Sequence, residues 1–386
     1  MEIKLPGRAG GIETWRVRGT PLPVVAPGAP FNRIAYSAAH VVADPLASGE
    51  LNEPPAIDWD RTLDYRRYLI GQGLGIAEAM DTAQRGMGLA WPQALELIGR
   101  TLDAVRDLPG ARVASGVGTD HLAPGAARDR DDVVRAYAEQ VEAVQRLGGR
   151  IILMASRALA RVAKSADDYV YVYEKILALC DQPVILHWLG DAFDPELAGY
   201  WGHAGFAEAA EVCAGLIDAQ AARIDGIKIS LLDADKEIAL RRRLPATVRM
   251  YTGDDFNYPA LIEGDALGHS HALLGIFDAI APAASQALAA LAAHDAGRYH
   301  ALLAPTVPLA RHIFRAPTQF YKTGVVFLAY LNGFQPHPFM LGGHHGMRPP
   351  RYLAELFRLA DEANLLRDPE LAVGRMRGVM ATFGVA

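Results

Sequence analysis

The chain has 386 residues, of which 51% are hydrophobic and 21% are charged, and its formal net charge is -6. This composition supplies ample material for a hydrophobic core and excludes a largely disordered protein. Basic residues are scattered and form no stripe, so we expect no nucleic-acid partner.

Membrane and disulfide chemistry are not indicated by the sequence either. No apolar run reaches the roughly 18 residues that span a bilayer, and the first residues lack the basic-then-apolar profile of a signal peptide. We therefore expect no membrane association and a cytoplasmic location. The two cysteines, Cys180 and Cys213, lie in apolar helical patterns. This placement favours buried reduced thiols over a disulfide or a metal site.

The hydrophobic patterns, taken in chain order, predict an α/β protein. Residues 2–17 are predicted to form a β-hairpin, and short β-rich runs then alternate with amphipathic helices. The eight predicted barrel strands lie at 33–37, 74–79, 112–118, 151–155, 184–188, 226–230, 248–251 and 266–271. Eight βα units in series predict a closed (β/α)8 barrel, that is, a TIM barrel.

Helices are predicted between these strands and after them. Examples within the barrel are 91–107, 131–147, 166–180 and 233–243, several of which begin with a Ser or Asp that can cap the helix. Residues 283–296 and 300–314 are predicted to form a helical hairpin. We therefore divide the chain into a hairpin and lead-in (1–30), the barrel (31–300) and a C-terminal helical extension packed on the barrel (301–386).

Lys228 is the first candidate for a catalytic residue. It lies in an apolar strand whose alternation places Ile227 and Ile229 on the helix-facing side and Lys228 toward the barrel axis. In a partly desolvated pocket the pKa of a lysine falls, and the neutral amine can attack a carbonyl to form a Schiff base. A lysine that extends to solvent or pairs with a carboxylate is the alternative.

Four motifs in this order support a catalytic barrel: Ser115-Gly116-Val117-Gly118, Pro183-Val184-Ile185-Leu186-His187, Gly226-Ile227-Lys228 and Gly253-Asp254-Asp255. With them, residues 30–310 resemble the dihydrodipicolinate synthase and N-acetylneuraminate lyase superfamily of class I aldolases, and look most like a longer bacterial branch of it. The resemblance implies that Lys228 forms the Schiff base and that Gly253, Asp254 and Asp255 shape the pocket beyond the seventh strand. It also implies no cofactor and assembly as a dimer or tetramer.

The chain departs from that superfamily after the second strand. Superfamily members have a Gly-Thr-Thr segment there that holds a substrate carboxylate, whereas this chain has Asp81-Thr82 in an otherwise apolar run. An aspartate would repel a carboxylate, so we expect Asp81 to accept hydrogen bonds from substrate hydroxyls or to cap the next helix. Thr82 and Thr119 are expected to orient hydroxyl or carboxyl groups of the substrate.

A second departure is the lack of a tyrosine at the end of the fourth strand, where the superfamily relays protons. His187, at the end of the fifth strand, is the best-placed group for proton transfer, because imidazole titrates near neutral pH. Tyr36, on the first strand, is a further candidate for substrate binding. The sequence thus predicts a Schiff-base lyase or aldolase that acts on a small polar carbonyl compound, such as a keto-sugar or a 2-oxo acid.

Two alternatives remain open at the level of the sequence. Glu78, His187, Asp254 and His269 all lie at or near predicted strand ends, where carboxylates and imidazoles together can bind a divalent metal ion. Such a set predicts a metal-dependent sugar isomerase or epimerase. The other alternative is a barrel that binds a ligand without catalysis, which the missing tyrosine suggests.

Overall fold

The computed structural model describes residues 1–23, 30–47 and 53–385. The strands are β1 Glu2–Pro6, β2 Ile12–Arg16, β3 Ala35–Ala38, β4 Gly75–Glu78, β5 Val113–Val117, β6 Arg150–Leu153, β7 Val184–Leu189, β8 Ile224–Ser230, β9 Arg249–Thr252 and β10 His271–Leu274. The helices are α1 Trp59–Gly71, α2 Trp91–Val105, α3 Arg130–Arg146, α4 Arg157–Val162, α5 Ala166–Leu179, α6 Phe206–Ala219, α7 Ala234–Arg241, α8 Tyr258–Glu263, α9 Ile276–Ala279, α10 Ala281–Ala292, α11 Ala296–Leu303, α12 Thr306–Ile313, α13 Tyr321–Leu331, α14 Pro350–Glu362 and α15 Pro369–Ala381.

The backbone divides into two compact units. One unit holds residues 33–39 and 75–274, and the other holds the described residues of 1–32, 40–74 and 275–386. The first unit therefore contains all the barrel strands and α2–α8, and the second contains the hairpin, α1 and α9–α15. The predicted lead-in of the hairpin includes residues 24–29, which lie outside the described residues.

In the described part of the first unit, eight parallel strands close into a barrel in the order β10-β3-β4-β5-β6-β7-β8-β9. The predicted TIM barrel is thereby confirmed. Its interior is filled by alternate residues of the strands, among them Tyr36, Ala77, Ile152, Ile185 and Tyr251. This filling leaves the carboxyl ends of the strands and the loops that follow them to form any site.

The predicted hairpin is also confirmed, and it belongs to the helical unit. β1 and β2 pair antiparallel, with Glu2 opposite Arg16 and Pro6 opposite Ile12. Helix α14 holds this segment in place, since Asp361 accepts hydrogen bonds from the Trp15 indole at 3.0 Å and from the Gly19 amide at 2.8 Å.

The eighth strand differs from the prediction. The sequence pattern predicts it at 266–271, whereas β10 is His271–Leu274. Gly264 and Gly268 adopt positive φ angles of 87° and 151°, and Asp265 and Gly268 exchange backbone hydrogen bonds of 2.8 and 3.2 Å across a tight turn. Glycine permits such angles at no steric cost, so the chain turns just where the pattern predicts a strand.

The predicted helical hairpin is divided differently as well. The pattern predicts one helix at 300–314, but α11 ends at Leu303 and α12 begins at Thr306. Pro305 stands between them and has no amide hydrogen to continue the first helix. No helix in the described ranges is long and apolar enough to cross a membrane.

Candidate active site

Lys228 lies inside the barrel, as the alternation of β8 predicts. It pairs in register with His187 of β7 on one side and with Tyr251 of β9 on the other. Residues in register on parallel strands present their side chains to the same face, and Tyr251 belongs to the interior core. Ile227 and Ile229 are fully buried on the opposite face of the strand.

Gly253, which follows β9, makes room for the lysine side chain. A Cβ atom at this position would lie 2.7 Å from Lys228 Cε and would collide with Ser230 Oγ. Contacts under 3.0 Å force a neighbour to move, so any larger residue would displace the lysine or the serine. The glycine of the predicted Gly-Asp-Asp turn thus has a steric function.

The surroundings of Lys228 lower its pKa. Only 7% of the residue is exposed, and burial disfavours the charged ammonium. The carboxylates of Asp255 and Asp81 act in the opposite direction, but the pKa remains below its usual value. More of the amine is therefore neutral near neutral pH than in an exposed lysine.

His187 lies beside this amine and is fully buried. Its Nε2 atom is 3.3 Å from Ser230 Oγ, a long hydrogen bond between neighbouring strands. Burial and the charge of Lys228 hold the pKa of His187 well below its usual range. The imidazole is therefore neutral at neutral pH, and the same surroundings make it a weaker base than an exposed histidine.

A cavity of about 300 Å³ opens at the carboxyl ends of the second to fifth barrel strands. The residues that line it include His187, Asp81, Thr119, Arg157 and Asp194. Lys228 is not among the lining residues. His187, which is in register with Lys228, is the lining residue next to the amine.

Asp81 points a carboxylate into this cavity. It begins a short 3-10 helix, Asp81–Ala83, two residues after Ala79, whose φ of 53° is unusual for a residue with a side chain. No side chain or amide in the described part of the chain donates a hydrogen bond to the Asp81 carboxylate, although its charge acts on both Lys228 and Arg157. The adjacent Thr82 is only 1% exposed.

Asp254 and Asp255 differ in their surroundings. The Asp254 carboxylate accepts hydrogen bonds from the backbone amides of Phe256 and Asn257, at 2.8 and 3.0 Å, and from the Asn257 side chain at 2.8 Å. It therefore holds the turn after β9 in place. Asp255 is buried and acts electrostatically on Lys228.

Thr119 connects the cavity wall to a buried group of hydroxyls. Its Oγ1 atom is 2.7 Å from Ser156 Oγ, which also caps helix α4 by accepting from the Leu159 amide at 3.0 Å. The Ser156 amide donates to the hydroxyl of Tyr200 at 3.0 Å. These contacts fix the loops after the third and fourth strands relative to each other.

The buried Arg85 pairs with Asp120, which is partly exposed, and the sequence analysis missed this pair. Arg85 donates to both carboxylate oxygens of Asp120, at 2.6 and 2.7 Å, and also to Gln140 Oε1 at 2.7 Å. Burial acts to raise the pKa of Asp120, but the Arg85 charge holds it below its usual value. The two residues follow the second and third strands, so their position at strand ends was the available signal.

Arg157 and Arg161 of α4 line the cavity and were also missed. Arg157 contacts Asp194 at 2.5 Å, and Arg161 contacts Glu196 at 2.7 Å. These ion pairs join the loops after the fourth and fifth strands. Both arginine side chains are about half exposed.

The metal set that the sequence allowed is not assembled. Glu78 bonds instead to Thr101 of α2 at 2.6 Å and to its neighbouring amide of Ala79 at 2.9 Å, so its carboxylate points away from the barrel axis. His269 precedes β10 and therefore lies at the amino end of the eighth strand, opposite to the cavity. Among the described residues, no group of three or more His, Cys, Asp or Glu side chains is arranged to hold a metal ion.

Tyr36 also lies away from the cavity. It is the second residue of β3, and its ring is 6.1 Å from that of Tyr251. The charges that act on its hydroxyl belong to Arg150, Asp225 and other residues at or before the starts of strands. The expected contact between Tyr36 and a substrate at the carboxyl ends is therefore not supported by its position.

Solved structures share this fold. Dihydrodipicolinate synthase from Aquifex aeolicus has a TM-score of 0.67 at 12% identity, covering 86% of this chain and 99% of its own. The chloride-inhibited synthase from Acinetobacter baumannii, complexed with pyruvate, has a TM-score of 0.64 at 17% identity, with coverage of 86% and 99%. A prophage protein of the same family from E. coli K12, in complex with pyruvate, has a TM-score of 0.63 at 13% identity, with coverage of 92% and 100%.

At these identities the likeness shows the fold. The chain thus has the barrel fold of the dihydrodipicolinate synthases, as the sequence motifs imply. No curated protein matches the chain. The profile described as "Protein of unknown function (DUF993)" matches residues 3–385, and the chain therefore belongs to the DUF993 family.

Proposed function

We propose that the protein is a lyase or aldolase that forms a Schiff base between Lys228 and a small polar carbonyl compound. The observation that carries the proposal is a buried amine with a lowered pKa, in register with a neutral imidazole at one wall of a cavity. Groups with shifted pKa values that lie together beside a cavity of a TIM barrel are the expected features of an active site. In Schiff-base chemistry of this kind the lysine itself activates the carbonyl compound, so no cofactor is required.

The chemical steps follow from these two residues. The neutral amine of Lys228 attacks the carbonyl carbon, and loss of water leaves an iminium ion. If the substrate has a hydroxyl group on its β-carbon, His187 removes the hydroxyl proton and the bond between the α- and β-carbons breaks. The bond electrons then form an enamine with Lys228, and an aldehyde leaves. Protonation of the enamine by His187 and hydrolysis release the second product.

Asp81 bears on the substrate class. Its carboxylate faces the cavity without a hydrogen-bond donor from the described residues, so it is placed to accept hydrogen bonds from substrate hydroxyls. A substrate carboxylate at the same place would meet like charge. Within the proposal, a hydroxylated ketone is therefore favoured over a simple 2-oxo acid, and Thr119 is a second contact for hydroxyl groups.

Borohydride trapping tests the proposal. The protein is incubated with 2-oxo acids and keto-sugars and reduced, and any adduct is located by peptide mass spectrometry. We expect an adduct on the peptide that contains Lys228, and none in Lys228→Met, which retains the length of the side chain. Lys322 is a matched internal control, because it is also buried but lies in the helical unit. An adduct on Lys322 as well, or no adduct from any compound, would contradict the proposal; the latter favours a barrel that binds without catalysis.

Two variants separate the other roles. His187→Asn should retain trapping but slow turnover of the same compound, because the imidazole transfers protons and does not bond to the substrate. Asp81→Asn should increase trapping of pyruvate relative to dihydroxyacetone, because a repelling charge is removed. Equal effects on both compounds would contradict the role given to Asp81. A cytoplasmic location and assembly as a dimer or tetramer stay predictions.

A further inference from the structure

A second cavity, separate from the barrel, lies within the helical unit. It has a volume of about 180 Å³, and its walls come from α1, from α9 and α13, and from the loop between α14 and α15. Most of the lining is apolar, including Leu22, Leu328 and Leu365. The volume suits a ligand smaller than the drug-sized molecules that occupy cavities of 300 Å³ and above.

Three aromatic rings form one side of this cavity. The centroids of Tyr65 and Tyr68 are 5.6 Å apart, and Phe334 lies 4.9 Å from Tyr65 and 4.6 Å from Tyr68. Rings at these distances stabilise each other and keep a fixed orientation. The cavity therefore has a rigid wall against which a flat or branched apolar group can pack.

Two hydrogen-bond donors at this wall have no partner in the described chain. The Arg367 guanidinium lies 5.3 Å from the centroid of Phe334, and none of the carboxylates in the described ranges pairs with it. The Tyr68 hydroxyl makes no hydrogen bond within the same residues, and the charges of Arg367 and Asp278 act on its pKa in opposite directions. A guanidinium that lies over a ring still presents its N–H groups at the edge, where a carboxylate can bind.

Asp278 and Asn332, two further polar residues of the cavity, are already engaged. Asp278 accepts from the His40 amide at 2.8 Å and from the His40 ring at 2.9 Å, and its side chain is fully buried. The Asn332 side chain donates to Leu365 O at 3.0 Å and accepts from the Arg367 amide at 2.9 Å. Among the described lining residues, Arg367 and Tyr68 are thus two donors without a hydrogen-bond partner that favour an anion.

We propose that this cavity binds a small organic acid with an aromatic or branched apolar body, whose carboxylate contacts Arg367 and the Tyr68 hydroxyl. The apolar body lies along Tyr68 and Phe334, and the carboxylate faces the exposed guanidinium. This site is independent of Lys228 and of the reaction proposed for the barrel.

Phenylacetate is a suitable probe because it has a carboxylate and an aromatic ring but no ketone that could react with Lys228. Binding to the full chain is measured by calorimetry, with phenylacetamide as the uncharged counterpart. We expect phenylacetate to bind more tightly than phenylacetamide. Arg367→Gln should weaken phenylacetate binding about tenfold or more and bring it to the level of the amide, as expected when a charged hydrogen bond is lost. Tyr68→Phe should weaken it less.

Arg157→Gln is the matched control, because Arg157 lines the barrel cavity and should not affect phenylacetate binding. Thermal unfolding of each variant verifies that it is folded. The proposal is overturned if phenylacetate and phenylacetamide bind equally, if neither binds, or if Arg157→Gln rather than Arg367→Gln weakens binding.

Discussion

Glu237 is a buried carboxyl group whose raised pKa should make the stability of the protein depend on pH. It lies on α7, only 1% of it is exposed, and the Ser270 hydroxyl donates to its Oε1 atom at 2.7 Å. Burial raises its pKa to about 8 from a usual value of 4.5. Between these two values the folded chain holds a proton that the unfolded chain has lost, so the free energy of unfolding decreases as the pH rises.

The magnitude follows from the size of this interval. A difference of one bound proton changes the free energy of unfolding by about 1.4 kcal/mol for each pH unit. Half a proton separates the two states at each end of the interval and a full proton between, so from pH 4.5 to pH 8 the buried carboxyl costs about 4 kcal/mol. Glu237→Gln has nearly the same shape and stays neutral, so the variant should lack this decrease. It should be more stable than the parent at pH 8, and the difference should shrink toward pH 5.

The assay is urea unfolding of both proteins at pH 5, 6, 7 and 8, monitored by circular dichroism. Other titrating groups contribute equally to parent and variant, so their effects cancel in the difference. Glu142→Gln is the control, because Glu142 is exposed on α3 and should give a difference near zero at every pH. A difference for Glu237→Gln that does not change with pH, or that falls as the pH rises, would refute the reasoning.

Two further predictions concern the barrel mouth. Gly253→Ala should reduce trapping on Lys228 roughly 10- to 100-fold, measured by mass spectrometry, because the added Cβ displaces Lys228 and Ser230. Asp120→Ala should lower the free energy of unfolding by about 1–3 kcal/mol, measured in urea, because the buried Arg85 guanidinium loses its carboxylate but keeps its bond to Gln140.

Each of these has its own control. Gly378→Ala should leave trapping unchanged, because a Cβ at Gly378 meets no atom within 4 Å. If Gly253→Ala traps as well as the parent, the steric argument is wrong. Adding Arg85→Met to Asp120→Ala should recover much of the lost stability, and no recovery would show that Arg85 is not the group left uncompensated.

The pattern of β8 was sufficient to predict the orientation of Lys228. Residues alternate between the two faces of a strand, and an ammonium between two isoleucines is accommodated only where it meets polar partners. The same period did not predict the orientation of Glu78. A strand buried on both faces is apolar throughout, so the pattern indicates which residues share a face but not which face is inside. In β4 it is Ala77 that faces the interior.

The contacts that shape the cavity depend on residues far apart in the sequence. Arg85 and Asp120 are 35 positions apart, and Arg157 and Asp194 are 37 apart. No local period connects such pairs, since their meeting depends on the order of strands in the closed barrel. The loops after strands two to five could be predicted to meet at one end, but not which of their charges would pair.

The two sets of ion pairs around the cavity should respond differently to ionic strength. The side chains of Arg85 and Asp120 are 2% and 25% exposed, so dissolved ions have less access to this pair. Arg157 and Arg161 are about half exposed, and exposed ion pairs of this kind weaken as the salt concentration rises. Raising the salt concentration should therefore loosen the loops after strands four and five first. Salt would then affect ligand access to the cavity only on the side formed by these two loops.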